Sequence, residues 1–276
     1  MAIKRILLCL TSLSSAETLP RAAAPLARRL GAQLIAIHIL ESLIMYPAIS
    51  MHLPETCFSG FNKSQKAHSD EIKAIFHRHT KSPDLKSEWR LEKADTATAT
   101  IRMLDNARAA DLVIMAKESD APDWTYGEDL VGKTIRNCGR PVLVIPEGFR
   151  TDGIGERIVL GCRTTKKAEQ TTRDLLNIAA RGADVGLVAI DETGDDNPAI
   201  NDLVKTFIEH GLHPDILPRV PSDKTGAEDI LHKAHERQAD QIVVAGSRAA
   251  PCCDKVVGPL VEDLLRSATL PVLYSR

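Results

Sequence analysis

Residues 3–11 form an almost unbroken apolar run, centred on Ile6-Leu7-Leu8-Cys9-Leu10. A short run without polar alternation predicts a strand buried on both faces, as in a parallel sheet. Behind it the apolar spacing lengthens to a helical period. Ser14-x-x-Glu17 has the spacing of a capping box and Gly31 the place of a helix stop, so a helix is expected between them. The alternation continues with strands over 34–40, 85–92, 112–116 and 142–145, and helices over 63–80, 96–109 (capped by Asp95) and 128–138. Beyond residue 156 it starts again. Strands are expected over 157–163, 185–190, 215–220, 241–246 and 272–275, and helices over 166–181, 198–210, 226–238 and 254–268. Asn197-Pro198 and Thr225-x-x-Glu228 mark two of those helix starts.

The second series of elements repeats the first. Arg5-Ile6-Leu7-Leu8 corresponds to Arg157-Ile158-Val159-Leu160 at an offset of 152, and Ala16-Glu17 to Ala168-Glu169. Gly31-Ala32 matches Gly182-Ala183 at 151, Ala110-Asp111 matches Ala239-Asp240 at 129, and Pro141-Val142-Leu143 matches Pro271-Val272-Leu273 at 130. The kept order and falling offset indicate a tandem duplication with extra residues in the first copy. Alternating β and α elements imply parallel sheets covered on both faces. The expected fold is therefore α/β: two tandem doubly wound, five-stranded parallel-sheet domains with strand order 3-2-1-4-5. The first domain would span 1–147 with an apolar insertion at about 42–62, a glycine-rich linker 148–156, and the second domain 157–276. The final strands, Val142–Ile145 and Val272–Ser275, are expected to pair the copies as an intramolecular pseudo-dimer, because each is otherwise a bare sheet edge. Whether whole chains dimerise further stays open.

Composition narrows the function. Over 276 residues, 43% are hydrophobic and 26% charged, as in an ordinary globular chain. Lysine and arginine number 35 against 37 acids, a net charge of −2, which argues against a nucleic-acid or membrane-surface partner. No apolar run approaches the roughly 18–20 residues that cross a bilayer. Lys4-Arg5 ahead of the first apolar run imitates a signal peptide, but the run is shorter than the usual 7–15 or so residues. A cytoplasmic location is expected. The six cysteines, Cys9, Cys57, Cys138, Cys162, Cys252 and Cys253, fit no disulfide or zinc spacing; Cys9 and Cys162 read as small core hydrophobes and Cys252-Cys253 as incidental loop thiols. His232-x-x-His235 shares a helix face, yet no cysteine or carboxylate completes a metal set, so no metal is expected. No nucleophile elbow, Walker lysine or paired carboxylates are recognisable, so no catalytic residue is named.

In an open parallel sheet, ligands bind beyond the carboxyl ends of the strands where strand order reverses. The informative residues then end strand 1 of each copy (Leu10-Thr11 and Cys162-Arg163) or follow strand 4 (Lys117 onward and Gly246 onward). Here the second copy, with Ile242-Val243-Val244-Ala245-Gly246-Ser247-Arg248-Ala249, then Gly258-Pro259 and Leu270-Pro271-Val272-Leu273, resembles the universal stress protein family. Ile114-Met115-Ala116 and Ile135 to Val142 of the first copy are similar to its tandem, E-type members. The resemblance covers essentially the whole chain and implies the five-stranded α/β domain, commonly paired through its last strands.

Nucleotide-binding members of that family carry glycine, two residues, glycine, nine residues, glycine, then serine or threonine, with an aspartate ending strand 1. Such glycines let backbone amides approach phosphates at a helix N-terminus. The second copy keeps Gly246 and Gly258 but has Ala249 at the second glycine, a spacer one residue short, Pro259 for the hydroxyl and Arg163 for the aspartate. Gly246, Ser247, Arg248 and Gly258, with Lys255, are its candidate anion or nucleotide residues; the alternative is that the glycines serve turning and packing alone. In the first copy Lys117-Glu118-Ser119-Asp120 replaces the glycine turn, Asp123, Glu128 and Asp129 follow, and Thr11 replaces the aspartate. Each close carboxylate would oppose a triphosphate by about 1 kcal/mol or more. That copy is expected not to bind ATP.

Residues 43–61, with Tyr46, Met51, Phe58 and Phe61, are too apolar for an ordinary loop, and read as a lid over core or as one wall of an apolar cavity. The function expected is a non-enzymatic, stress-response binding protein with degenerate ATP sites and no resident cofactor, acting on protein partners or a small ligand. The alternatives are an ATP-dependent switch or weak ATPase in the second copy, and a sensor of an apolar metabolite.

Overall fold

A computed structural model describes residues 2–41, 55–94, 97–117, 129–150, 153–162, 168–190, 198–218, 226–246 and 257–275. The first half runs β1 (Arg5–Cys9), α1 (Leu13–Leu30), β2 (Gln33–Leu40), α2 (Glu55–Thr80), β3 (Ser87–Lys93), α3 (Ala99–Arg108), β4 (Leu112–Ala116), α4 (Leu130–Asn137) and β5 (Val142–Ile145). The second runs β6 (Arg157–Cys162), α5 (Ala168–Ile178), β7 (Asp184–Ala189), α6 (Pro198–Glu209), β8 (His213–Leu217), α7 (Ala227–Glu236), β9 (Gln241–Ala245), α8 (Pro259–Ser267) and β10 (Val272–Ser275).

All these strands lie in one sheet ordered β3-β2-β1-β4-β5-β10-β9-β6-β7-β8. Each half therefore has the order 3-2-1-4-5, with parallel neighbours throughout. The halves meet where β5 and β10 pair antiparallel, Val144 opposite Val272 and Val142 opposite Tyr274. The apolar strand runs bury both faces, as their lack of polar alternation predicts. On one face Ile6, Leu8 and Leu10 belong to a core layer that runs the length of the sheet under α1, α2, α5 and α6 and includes Leu19, Phe76, Leu175 and Phe207. On the other, Leu7 and Cys9 belong to a second layer, under α3, α4, α7 and α8, that includes Met103, Val131, Ile230 and Leu264. Burial pushes the Cys9 thiol far above its ordinary pKa, with the neighbouring Cys138 adding to the shift, and Cys162 Sγ lies 3.3 Å from the Val188 carbonyl. Both cysteines behave as core hydrophobes.

Several local expectations need correction. The cap of α1 is Ser12, whose hydroxyl accepts from Ser15 N–H at 3.1 Å, and Ser15 Oγ in turn accepts from Ser12 N–H at 2.9 Å. Ser14 instead donates to Glu147, and Glu17 pairs with Arg78 and, at 2.8 Å, with His79, binding α1 to α2. The hydrogen bond from His79 is the main influence lowering the Glu17 pKa. Helix α3 is capped by Thr98, which accepts from Ile101 N–H. Helix α2 begins at Glu55, two turns before the expected start, so the end of the apolar insertion is helical. Asp95, Asn197, Thr225 and residues 43–54 of the apolar insertion lie outside the described residues.

The expected linker is tied down. Ile154 is buried in the core, and Asp240, at the start of β9, accepts from the amides of Gly155 (2.6 Å), Glu156 (3.0 Å) and Arg157 (2.8 Å). Asp111, before β4, takes the Lys4 and Arg5 amides at 3.0 and 2.9 Å. The repeated Ala-Asp pair thus aligns the first strand of each half against its fourth.

Tyr274 lies in the sheet's centre, 1% exposed, and its hydroxyl has no hydrogen-bond partner among the described residues. Burial raises its pKa. Leaving a buried donor unmade is costly. Tyr274→Phe is therefore expected to raise stability by about 1 kcal/mol, read as a higher urea midpoint at unchanged slope.

Candidate functional site

Strand order reverses between β1 and β4 in the first half and between β6 and β9 in the second. The carboxyl ends of these pairs are where a ligand of a doubly wound sheet sits.

In the first half that edge is occupied by the protein's own groups. Thr11 N–H and Ser12 N–H both donate to Ser15 Oγ, at 3.0 and 2.9 Å, so the amides leading into α1 are already paired. Across the reversal, Asp129 caps α4 in the left-handed region, φ 59°, which aspartate tolerates better than most residues. Its carboxylate folds over the first turn, where a Cβ on Gly132 would fall 2.0 Å from Asp129 Oδ1. The same carboxylate pairs at 2.7 Å with Arg136 Nη2, on a side chain only 7% exposed. An acid thus stands at the helix N-terminus where a phosphate would need positive potential.

Lys117, the residue after β4, reaches across the seam between the halves. Its ammonium donates to the carbonyls of Arg266 and Ala268 at the C-terminus of α8, in the other half. A cation there complements the helix dipole. Glu118, Ser119, Asp120, Asp123 and Glu128 lie outside the described residues.

The second half has an equivalent crossing without a side chain. Gly246 follows β9 as Lys117 follows β4, and its amide donates to the Ser275 carbonyl at 2.6 Å, as Lys117 N–H does to Ile145 O at 2.8 Å. A Cβ at 246 would lie 2.7 Å from Ser275 O and 3.3 Å from Ile135 Cγ2 of α4. Close approach to the neighbouring strand and helix accounts for this glycine. Gly258 is the N-cap of α8, in extended conformation, followed by Pro259 in the first turn. The structure therefore places Gly246 and Gly258 on one edge; Ser247, Arg248, Lys255, Arg163, Cys252 and Cys253 lie outside the described residues.

Beside Gly246 is a buried polar relay that no sequence pattern announces. Ser275 Oγ donates to Asp174 Oδ2 at 2.6 Å, and Gln170 Nε2 donates to Asp174 Oδ1 at 2.8 Å. Asp174, in the second turn of α5, is 6% exposed. A buried carboxylate thus stands two hydrogen bonds from the Gly246 amide.

Elsewhere, His232 and His235 are exposed on α7, and among the described residues no group of three or more His, Cys, Asp or Glu could hold a metal ion. No helix among them is long and apolar enough to cross a membrane.

The model of the universal stress protein family matches residues 2–146, more than half of the chain. The chain belongs to the universal stress protein family. Among solved structures it is similar to a universal stress protein from Archaeoglobus fulgidus DSM 4304, with TM-score 0.73 and 12% identity, covering 99% of this chain and 96% of that one. It is also similar to a protein of unknown function from Pseudomonas aeruginosa PAO1, with TM-score 0.58 and 14% identity, covering 99% and 92%. At such identities the likeness is one of fold. No curated protein matches the chain. The match to the family model falls on the first half.

Proposed function

We propose that this universal stress protein is a tandem, E-type member that works by regulated binding in the cytoplasm rather than by turnover, with degenerate ATP sites in both halves. The carrying observation is Lys117: the residue that would open the first half's phosphate turn is engaged as a cap on the other half's last helix. The Asp129 carboxylate over α4 and the Ser12–Ser15 box support the same reading. In the second half the Gly246 amide is already paired and Asp174 adds a buried acid nearby. The antiparallel β5–β10 seam supports the pseudo-dimer, since it leaves neither closing strand as an edge. Such a protein would present its surface to partner proteins or a small ligand.

The alternative, an ATP-dependent switch or weak ATPase in the second half, draws on Gly246 and Gly258 sharing one edge. Calorimetric titration of the full chain with ATP and magnesium separates the two. No saturable heat up to about 1 mM nucleotide, a free energy near 4 kcal/mol, is expected. Micromolar binding that is lost in Arg248→Ala, with the melting temperature unchanged, would establish the alternative.

A further inference from the structure

The two outer strands of the ten-stranded sheet, β3 and β8, are finished differently. Alternate residues of a parallel strand turn both backbone groups to the neighbour, and those between turn them outward. In β8 the His213 N–H donates to the Ala183 carbonyl, so the outward positions are Pro214 and Ile216. Proline has no donor to offer there, which blunts the edge. In β3 the Lys86 carbonyl accepts from Leu34 N–H and the Ala94 N–H donates to the Leu40 carbonyl. Ser87, Trp89, Leu91 and Lys93 therefore face outward. This strand has seven residues against five in β8, carries no proline, and leaves Leu91 43% exposed. Among the described residues it pairs with β2 alone.

The side chains along this edge are their own complement. Lys86, Glu88, Arg90 and Glu92 alternate along the chain and so share one face, the one bearing α3, where Asn106 Nδ2 donates to Glu92 at 3.2 Å. Reversed end for end about Trp89, the series sets Lys86 opposite Glu92 and Glu88 opposite Arg90. Every charge then meets its opposite, while Trp89 meets Trp89 on the other face. Pairing centred on Arg90 would instead oppose Arg90 to Arg90 and Glu88 to Glu92. Centred on Leu91, it would leave Lys86 and Glu88 facing no charge. Opposite charges and aromatic pairs stabilise facing strands and like charges destabilise them, so one register is singled out. The charges are accessible for it: the side chains of Arg90 and Glu88, which lie 2.6 Å apart within the strand, are 39% and 40% exposed.

We propose that β3 is a self-recognition edge, at which two copies of this chain pair antiparallel about Trp89 and join their sheets. A two-fold axis normal to the sheet keeps the α3 face of one copy beside the α3 face of the other, as the charge pairing requires. The contact lies at the far end of the first half from the β5–β10 seam, so it does not depend on the function proposed above. One strand edge is a small interface, and the dissociation constant expected is on the order of 10 µM.

Sedimentation equilibrium of the full chain at low salt tests it. A monomer–dimer equilibrium is expected. Leu91→Pro removes an outward N–H and spares the ladder to β2, as Pro214 does in β8, and should weaken the dimer at least about tenfold. Should that variant misfold, exposed charges carry the test. Glu88→Arg with Glu92→Arg makes the row wholly basic, and Lys86→Glu with Arg90→Glu makes it wholly acidic. Each double variant alone is expected to be monomeric at about 100 µM, and an equimolar mixture to form the heterodimer. Circular dichroism checks the fold of each. A wild-type chain that stays monomeric at about 100 µM would overturn the proposal. So would a dimer unchanged in a folded Leu91→Pro, which would place the contact elsewhere, or a mixture of the double variants that does not associate.

Discussion

Asp240→Ala is expected to lower stability by about 3 kcal/mol, several times the loss from Asp111→Ala. The two aspartates do the same work at the start of β9 and β4, but in different surroundings. Asp111 holds two amides in an exposed setting, where water replaces a lost acceptor. Asp240 is 8% exposed and holds three consecutive amides. Two of them belong to the connecting segment, whose Gly155 sits at φ 92° with the Ile178 carbonyl 2.9 Å from the place of a Cβ. Arg29 from α1 reaches the same spot and donates to the Ile178 carbonyl. Burial lowers the Arg29 pKa and the charges of Asp240 and Glu156 raise it in part. Removing Asp240 thus strands amides and leaves the Arg29 cation with one acid fewer. The sign with pH also follows. Burial raises the Asp240 pKa above its ordinary value, against the opposing pull of the amides. A carboxyl whose folded pKa lies above its unfolded one contributes most when protonated, and part of that contribution is lost as pH rises through the carboxylate range. The penalty of Asp240→Ala should therefore be larger near pH 3 than near pH 7. Urea unfolding of both alanine variants at the two pH values measures it; equal losses for Asp111 and Asp240 would refute the argument.

The sequence carried the fold further than the site. Runs such as Ile6 to Leu10 and Val142 to Ile145 have no polar alternation, and both faces of the sheet are covered, so strand type and parallel order were readable from local pattern. Errors fell where neighbouring signals compete. Ser12 and Ser14 both stand at plausible cap positions, and the choice went to Ser12 because Glu17 is drawn to Arg78 and His79, residues brought close only by the fold. Strand β8 was expected over 215–220 but spans His213–Leu217, since a proline at 214 reads as a break yet is tolerated on an edge strand. The candidate site was legible only as a pattern of missing glycines. What occupies it comes from far along the chain: Lys117 reaches α8 across 149 residues, and Asp174 meets Ser275 across 101. No local periodicity encodes such pairings. The matched Asp111 and Asp240 were visible as a repeat, but their grip on the starts of β1 and β6 was not.

Gly246→Val is expected to destabilise the protein by about 3 kcal/mol, at the upper end of ordinary overpacking, whatever the chain binds. In a phosphate-binding reading this glycine exists for a ligand, and its loss should abolish binding while sparing the fold. The geometry gives another cause. A valine Cβ would sit 2.7 Å from the Ser275 carbonyl, which is backbone of the neighbouring strand and already accepts the Gly246 amide. It would also press on Ile135 of α4 at 3.3 Å. Ser275 cannot retreat freely, because its hydroxyl is held by the buried Asp174 and its strand is paired with β9 on one side and β5 on the other. The strain should therefore reach the seam between the halves. Hydrogen exchange would show it as lost protection in β10 and β5, with β2 and β7, remote from the seam, unaffected. A variant with wild-type stability and unchanged exchange at β10 would mean that this glycine is free for a ligand, and the ATP-dependent alternative would then become the better account of the second half.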